Sequence, residues 1–329
     1  MNITGKIHRI ETSYPAMANV PLYIYLIQGA EVALIDTGVP GFLQKHVEPY
    51  MKSLGLKLSD VKLVLNTHGH PDHFGGNADA RRTSGAMICA PLLDAAWVED
   101  HDRHWRELWE AYPGDLSFGD DVRKAIMEEY CGANTKVDRM LRDGDEIDLG
   151  AGHKLVVVET AGHSPGHISF YDPRQRVAFT GDTVQGRGIP LVGKPGLLGP
   201  LYTDVDAYEA GLRRLLNLDI DWLLGAHSYA TNSRETKELL QESLAYVQEV
   251  DGFVEACLKG SANPVSLPEI ANGIGTRVLQ AGGISLQSIG VGYAHLRRMA
   301  ARGKVTSQWL LRPVTHLGGE DSHAAAAIQ

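Results

Sequence analysis

Thr67-His68-Gly69-His70-Pro71-Asp72-His73 places three imidazoles and a carboxylate within six residues. The stretch follows the apolar run Val61-Lys62-Leu63-Val64-Leu65, which reads as a strand. A strand that ends in such a loop aims several nitrogen and oxygen donors at one point, and borderline metals such as zinc prefer that donor set. A solvated loop that is rich in His by chance is the competing reading. Three later positions weigh against it. His163 stands in Thr160-Ala161-Gly162-His163-Ser164-Pro165-Gly166-His167, after Leu155-Val156-Val157-Val158. Asp182 stands in Phe179-Thr180-Gly181-Asp182-Thr183, after Arg176-Val177-Ala178-Phe179. His227 stands in Trp222-Leu223-Leu224-Gly225-Ala226-His227-Ser228. Each donor ends an apolar run, beside small residues that let the backbone crowd a site.

This order, His-x-His-x-Asp-His and then His, Asp and His, resembles the metallo-β-lactamase-fold hydrolases over roughly residues 5 to 245, with all seven ligand positions filled. The motif is specific for the fold and far less so for substrate. The resemblance implies an α/β protein, a four-layer αββα sandwich with the metal site at one edge of its two sheets. It implies that His68, His70 and His163 hold a first metal, that Asp72, His73 and His227 hold a second, and that Asp182 bridges them. Two Zn2+ per chain follow, and Mn2+ or Fe2+ could take the same donors. Asp36, in Val32-Ala33-Leu34-Ile35-Asp36-Thr37-Gly38, matches the family's carboxylate beneath the metals, where it can fix the tautomer of a ligating His. A plain turn Asp before Gly is the other reading. Catalysis then falls to His68, His70, Asp72 and Asp182, with a hydroxide shared by the metals as nucleophile and no Ser or Cys nucleophile needed.

Apolar and aromatic pocket candidates favour an acyl bond as the expected target: an ester, thioester or lactone of a small, partly apolar or aromatic substrate. Position 182 is Asp where some true β-lactamases carry Cys, and position 185 is Gln where acyl-homoserine lactonases carry Tyr. His227-Ser228-Tyr229-Ala230-Thr231-Asn232 is similar to the stretch after the last ligand in glyoxalase II, a thioesterase. Two other classes use similar ligands: mononuclear iron enzymes of the persulfide dioxygenase kind, and metal-dependent nucleases.

A chain of 329 residues, 43% hydrophobic, can bury a large core and an extra module. No apolar run approaches the eighteen or so residues of a membrane-spanning helix. The start, Met1-Asn2-Ile3-Thr4-Gly5-Lys6, lacks an apolar secretory segment, and Cys89, Cys131 and Cys257 are an odd, scattered set, so a reducing, cytoplasmic setting is expected. The net charge of −9 gives no electrostatic reason to expect nucleic acid as a partner. A small-molecule substrate is the expected partner, and a homodimer is compatible with the sequence.

Residues 1–245 read as the catalytic domain, 92–140 within it as a helical insertion able to cap the site, 246–312 as a C-terminal helical, winged-helix-like module, and 313–329 as a disordered tail. Ala95 to Trp109 is helical by composition. Trp97, Trp105, Leu108, Trp109 and Tyr112 form an aromatic stripe, either packed on the body or lining a pocket. His101 and His104 read as solvated. The Gly- and Pro-rich loop from Gln185 to Tyr202 begins at a ligand and can rim the site. Trp105, Trp109, Tyr202 and Tyr229 are the candidate pocket residues. In the C-terminal module Ser266 is positioned to cap a helix with Pro268 in its first turn. The small basic cluster Arg297, Arg298, Arg302 and Lys304 favours packing or dimer contacts over nucleic acid.

Overall fold

The computed structural model describes residues 1–14, 20–110, 123–124, 126–193, 195–228, 230–260, 265–280 and 283–304. The apolar run Val61–Leu65 is a strand inside a six-stranded sheet. That sheet runs in sequence order: β1 (Ile7–Tyr14), β2 (Val20–Gln28), β3 (Val32–Ile35), β4 (Val61–Leu65), β5 (Met87–Pro91) and β6 (Arg139–Leu141). The first three strands pair antiparallel, β2 and β3 across the turn at Gly29-Ala30-Glu31, and β3 to β6 pair parallel. The second sheet contains β7 (Glu146–Asp148), β8 (Lys154–Glu159), β9 (Ile168–Asp172), β10 (Val177–Gly181), β13 (Trp222–Gly225) and β14 (Thr231–Asn232), in the order β14-β13-β10-β9-β8-β7. A short hairpin, β11 (Ile189–Pro190) with β12 (Leu197–Leu198), lies inside the loop after Asp182.

Side-chain alternation builds the layers. On β2, Tyr23, Tyr25 and Ile27 face the second sheet, where they meet Leu155, Val157, Phe170 and Phe179. Leu22, Ile24 and Leu26 point the other way, into a cluster with Leu43, Val47 and Met51. On β10, Val177 and Phe179 face inward while Ala178 faces helices. Both faces of these strands are buried, which is why their sequences read as continuous apolar runs. The outer helices are α1 (Glu48–Ser53), α2 (Pro71–Phe74), α3 (Asn77–Ser84), α4 (Ala95–Glu99) and α5 (His101–His104) on the first half. On the second half lie α6 (Val205–Leu216), α7 (Ser233–Gly260), α8 (Leu267–Gly273) and α9 (Leu286–Ala301). The result is the four-layer αββα sandwich.

Two elements differ from expectation. Ala95 to Trp109 is not one helix: Asp100 turns extended after α4, its carboxylate accepts from the Arg103 N–H at 3.0 Å to cap α5, and a wider π-type turn spans Trp105–Trp109. The boundary expected at 245/246 falls inside α7, which runs unbroken to Gly260. Beyond it Ser266 caps α8 in a reciprocal box with Glu269, with Pro268 in the first turn. The tail from 313 and Tyr112 lie outside the described residues.

Candidate metal centre

The site forms where strands of both sheets end at one edge. β4 delivers Thr67 to His70, and Pro71 starts α2, which carries Asp72 and His73. The loop after β8 carries His163. β10 and β13 pair in parallel with Gly181 opposite Gly225, so Asp182 and His227 leave the second sheet side by side. Gly181 has φ +47°, and a Cβ there would come within 2.7 Å of both His167 Nε2 and Thr67 Oγ1.

The seven expected donors converge. His163 Nε2 is 3.2 Å from His68 Nε2 and 2.9 Å from His70 Nδ1. His227 Nε2 is 3.2 Å from Asp72 Oδ2. Asp182 lies between the groups: its Oδ2 is 3.5 Å from His163 Nε2 and 3.4 Å from His227 Nε2, and its Oδ1 is 3.6 Å from His73 Nε2. Three sets of donor atoms close enough to share a cation result: His68, His70 and His163; His68, His73 and Asp182; Asp72, His73 and His227.

Surrounding acceptors orient the rings. Thr67 Oγ1 donates to Asp36 Oδ2 at 2.9 Å, so it accepts from His68 Nδ1 at 3.0 Å. His73 Nδ1 meets the same Asp36 oxygen at 2.9 Å. His163 Nδ1 donates to the Leu201 carbonyl and His227 Nδ1 to the Pro21 carbonyl, both at 2.6 Å. Each of these rings turns its Nδ1 outward to a fixed partner and its Nε2 toward the centre. Asp36 has φ +59°, a strained geometry that its three hydrogen bonds hold in place.

Charge completes the fit to a cation. Burial holds His68 and His70 well below the usual imidazole value, and it lowers His163 against the pull of Asp182, so these rings are neutral donors. Burial also acts on His73, but Asp72, Asp182 and Asp36 outweigh it and hold the ring up at about 10. His227 is raised in the same way by Asp182 and Asp72 against burial. Burial pushes Asp72 up, yet His73 and His227 hold it below the usual carboxylate range. His70 Nε2, His73 Nε2 and Asp182 Oδ1 are buried with no hydrogen-bond partner. Neutral imidazoles facing one another, beside charged carboxylates that hold protons on His73 and His227, are what a divalent metal would relieve.

Two supporting residues escaped the sequence reading. Asp94 is buried and accepts from the Gly69 N–H at 2.9 Å, the Gly166 N–H at 2.6 Å and the Ser164 hydroxyl at 2.5 Å. It thereby ties the His68–His70 loop to the His163 loop. A Cβ on Gly166 would come within 2.7 Å of its Oδ1. Burial raises Asp94 to about 6 despite those bonds. His167 Nε2 faces the Asp182 N–H at 3.1 Å, with Nδ1 against Thr160 and Thr183. The only sequence signals were glycines next to ligands.

A pocket opens beside the centre, with about 450 Å³ of empty volume, its mouth included. His70, Pro71 and Asp72 form its base. Leu108, Trp109, Ile126 and Tyr130 of the insertion form one wall, and Leu201, Leu286 and Gln287 the other. Trp109 is thus at the pocket. Trp105 stands behind it, stacked at 5.7 Å and bonded through Nε1 to Glu110. Tyr202 is fully buried elsewhere, stacked on Tyr208 and bonded to His295 at 2.9 Å, because its ring is drawn into the second-half core. Its neighbour Leu201 reaches the pocket instead. Tyr229 lies outside the described residues. His101 and His104 are not solvated: they are 3% and 0% exposed, packed on Phe74, and burial lowers them to about 4 and about 3.

A family model described as the metallo-beta-lactamase superfamily matches residues 19–227. A hydroxyacylglutathione hydrolase from Erythrobacter litoralis is 27% identical over 227 residues, 67% of this chain and 68% of its own length. The hydroxyacylglutathione hydrolase GloC of Haemophilus influenzae is 29% identical over 206 residues, 62% of this chain and 84% of its own. A metallo-beta-lactamase family protein from Thermus thermophilus superposes with a TM-score of 0.71 at 22% identity, covering 92% of this chain and 95% of that one, which extends the shared fold to the C-terminal helices. The matched span runs from β2 to His227 and takes in every converging donor, and on that ground the chain belongs to the metallo-beta-lactamase superfamily.

Proposed function

We propose that this chain, a metal-dependent hydrolase, cleaves the acyl bond of a small, largely apolar substrate, a thioester first and an ester or lactone next, using two zinc ions. His68, His70 and His163 would hold one ion, Asp72, His73 and His227 the other, and Asp182 would serve both. The observation that carries this reading is the place of Asp182, within 3.6 Å of nitrogens from both groups. When bound, the ions supply hydroxide at neutral pH and polarise the acyl oxygen. Asp36 and the Leu201 and Pro21 carbonyls fix the ligand tautomers, and Trp109 and Leu108 exclude water from the acyl group. Thioesters come first because hydroxyacylglutathione hydrolases are among the relatives. The substrate partner is a small molecule and not nucleic acid: Arg298 pairs with Asp251, Arg302 with Asp206 and Lys304 with Glu255, which leaves little of the basic cluster for phosphates. Three free cysteines support a reducing, cytoplasmic setting. No described helix is long and apolar enough to cross a membrane.

Metal analysis of purified protein, followed by a panel of thioesters, esters and lactones in labelled water, tests the reading. Two equivalents of zinc and solvent oxygen in the product acid are expected. One equivalent of iron with oxygen uptake would replace it with a dioxygenase, and phosphodiester cleavage alone with a nuclease.

A further inference from the structure

The C-terminal helix α9 sends a polar side chain into the pocket beside the metal centre. Gln287 is 8% exposed, lines the pocket next to Leu286, and makes no side-chain hydrogen bond to a described residue. Its carboxamide opens to the pocket and is free to pair with a polar group of the ligand. Its placement is built. Ser285 and Ser288 cap each other at the start of α9. Farther along, His295 and Arg298 are tied to Asp251 at 3.1 and 2.7 Å, and His295 also to Tyr202. The facing wall is largely apolar, with Leu108, Trp109 and Ile126 beside Tyr130. No described lining residue is Lys or Arg. A carboxylate held against these walls, away from the metal centre, would meet no Lys or Arg of the described lining.

We propose that Gln287 is a specificity-determining residue: its carboxamide binds a secondary amide in the acyl portion of a substrate that is otherwise apolar there. The amide suits it because it can accept from the Gln287 N–H and donate to the Gln287 carbonyl. The C-terminal module then completes the active site. This inference rests on the acyl-hydrolase reading.

The test uses the zinc-loaded, full-length enzyme and two thioesters of equal length, one with an amide in the acyl chain and one with two methylenes in its place. The wild type should prefer the amide in kcat/KM on the order of tenfold or more. Gln287→Leu should bring that ratio close to one, with the loss falling on KM for the amide thioester, while zinc content and melting stay as they were. A ratio that survives the substitution, or a wild type without the preference, overturns the proposal. If Gln287→Leu does not fold, Gln287→Met is read in its place. If the wild type cleaves neither thioester, the hydrolase reading fails on its own. Calorimetry of the two product acids on the zinc-loaded wild type and variant then decides the role of Gln287: tighter amide binding that vanishes in the variant supports it, and equal binding rejects it.

Discussion

Asp182 lies within 3.6 Å of nitrogens from both groups of donors, and the proposed two-ion centre turns on it. Asp182→Ala should lose at least one equivalent of metal and nearly all turnover. The cooperative melt should persist, because the sheets supply most of the burial. Elemental analysis and calorimetry on the variant check this, and full activity would reject the bridging role. Protonation gives a second prediction. With its pKa raised to about 10, His73 adds stability to the metal-free protein that is complete below its ordinary 6.5 and is lost as pH rises through about 10. Metal binding must displace that proton, so zinc affinity should tighten with rising pH and protons should be released, as calorimetry in buffers of differing ionisation enthalpy would read. A Kd independent of pH would contradict the protonated state. Asp94→Ala strands three donors and should cost on the order of 3 kcal/mol in chemical denaturation, with weaker zinc retention. The seven donors were legible because each ends an apolar run. Asp94 was not, since its meaning depends on Gly69, 25 residues before it, and the Ser164–Gly166 loop, 70 and 72 residues after it, meeting in space.

Among the elements, the insertion separates two tryptophans that sequence alone groups together. Trp109 lines the pocket and Trp105 backs it. Trp109→Ala should raise KM or shift acyl preference with metal content unchanged. Trp105→Ala should chiefly lower stability, by about 3–5 kcal/mol. Kinetics and melting on the same two variants decide it, and identical behaviour would mean that the turn is only a packing element. The helical composition of 95–109 hid the break at Asp100 because the residue that ends α4 is also a good cap for α5. His101 and His104 looked solvated for a related reason: their burial comes from Phe74, which belongs to a different helix.

At the scale of the whole molecule, the second-half core does not stop at the last ligand. Val247, Val250 and Val254 of α7 share one cluster with Ile270, Ile274 and Met299. A chain ended at residue 245 should therefore aggregate or fail to melt cooperatively, as size-exclusion chromatography and calorimetry would show, and a well-folded product would establish an autonomous catalytic domain. The sandwich was legible from the ligand motif's resemblance, with which the alternation of strands and helical stretches agrees, whereas this continuity was not, because the apolar face of α7 meets α8 and α9 only in space. The parallel seating of β13 against β10 has a consequence for biosynthesis. His68 to His73 leave the ribosome early, yet His227 follows β13, which has to slot between β10 and β14. A nascent or stalled chain therefore holds only a partial set of donors: His68, His70 and His163 can meet before β13 is made, whereas the set of Asp72, His73 and His227 can close only after it is in place.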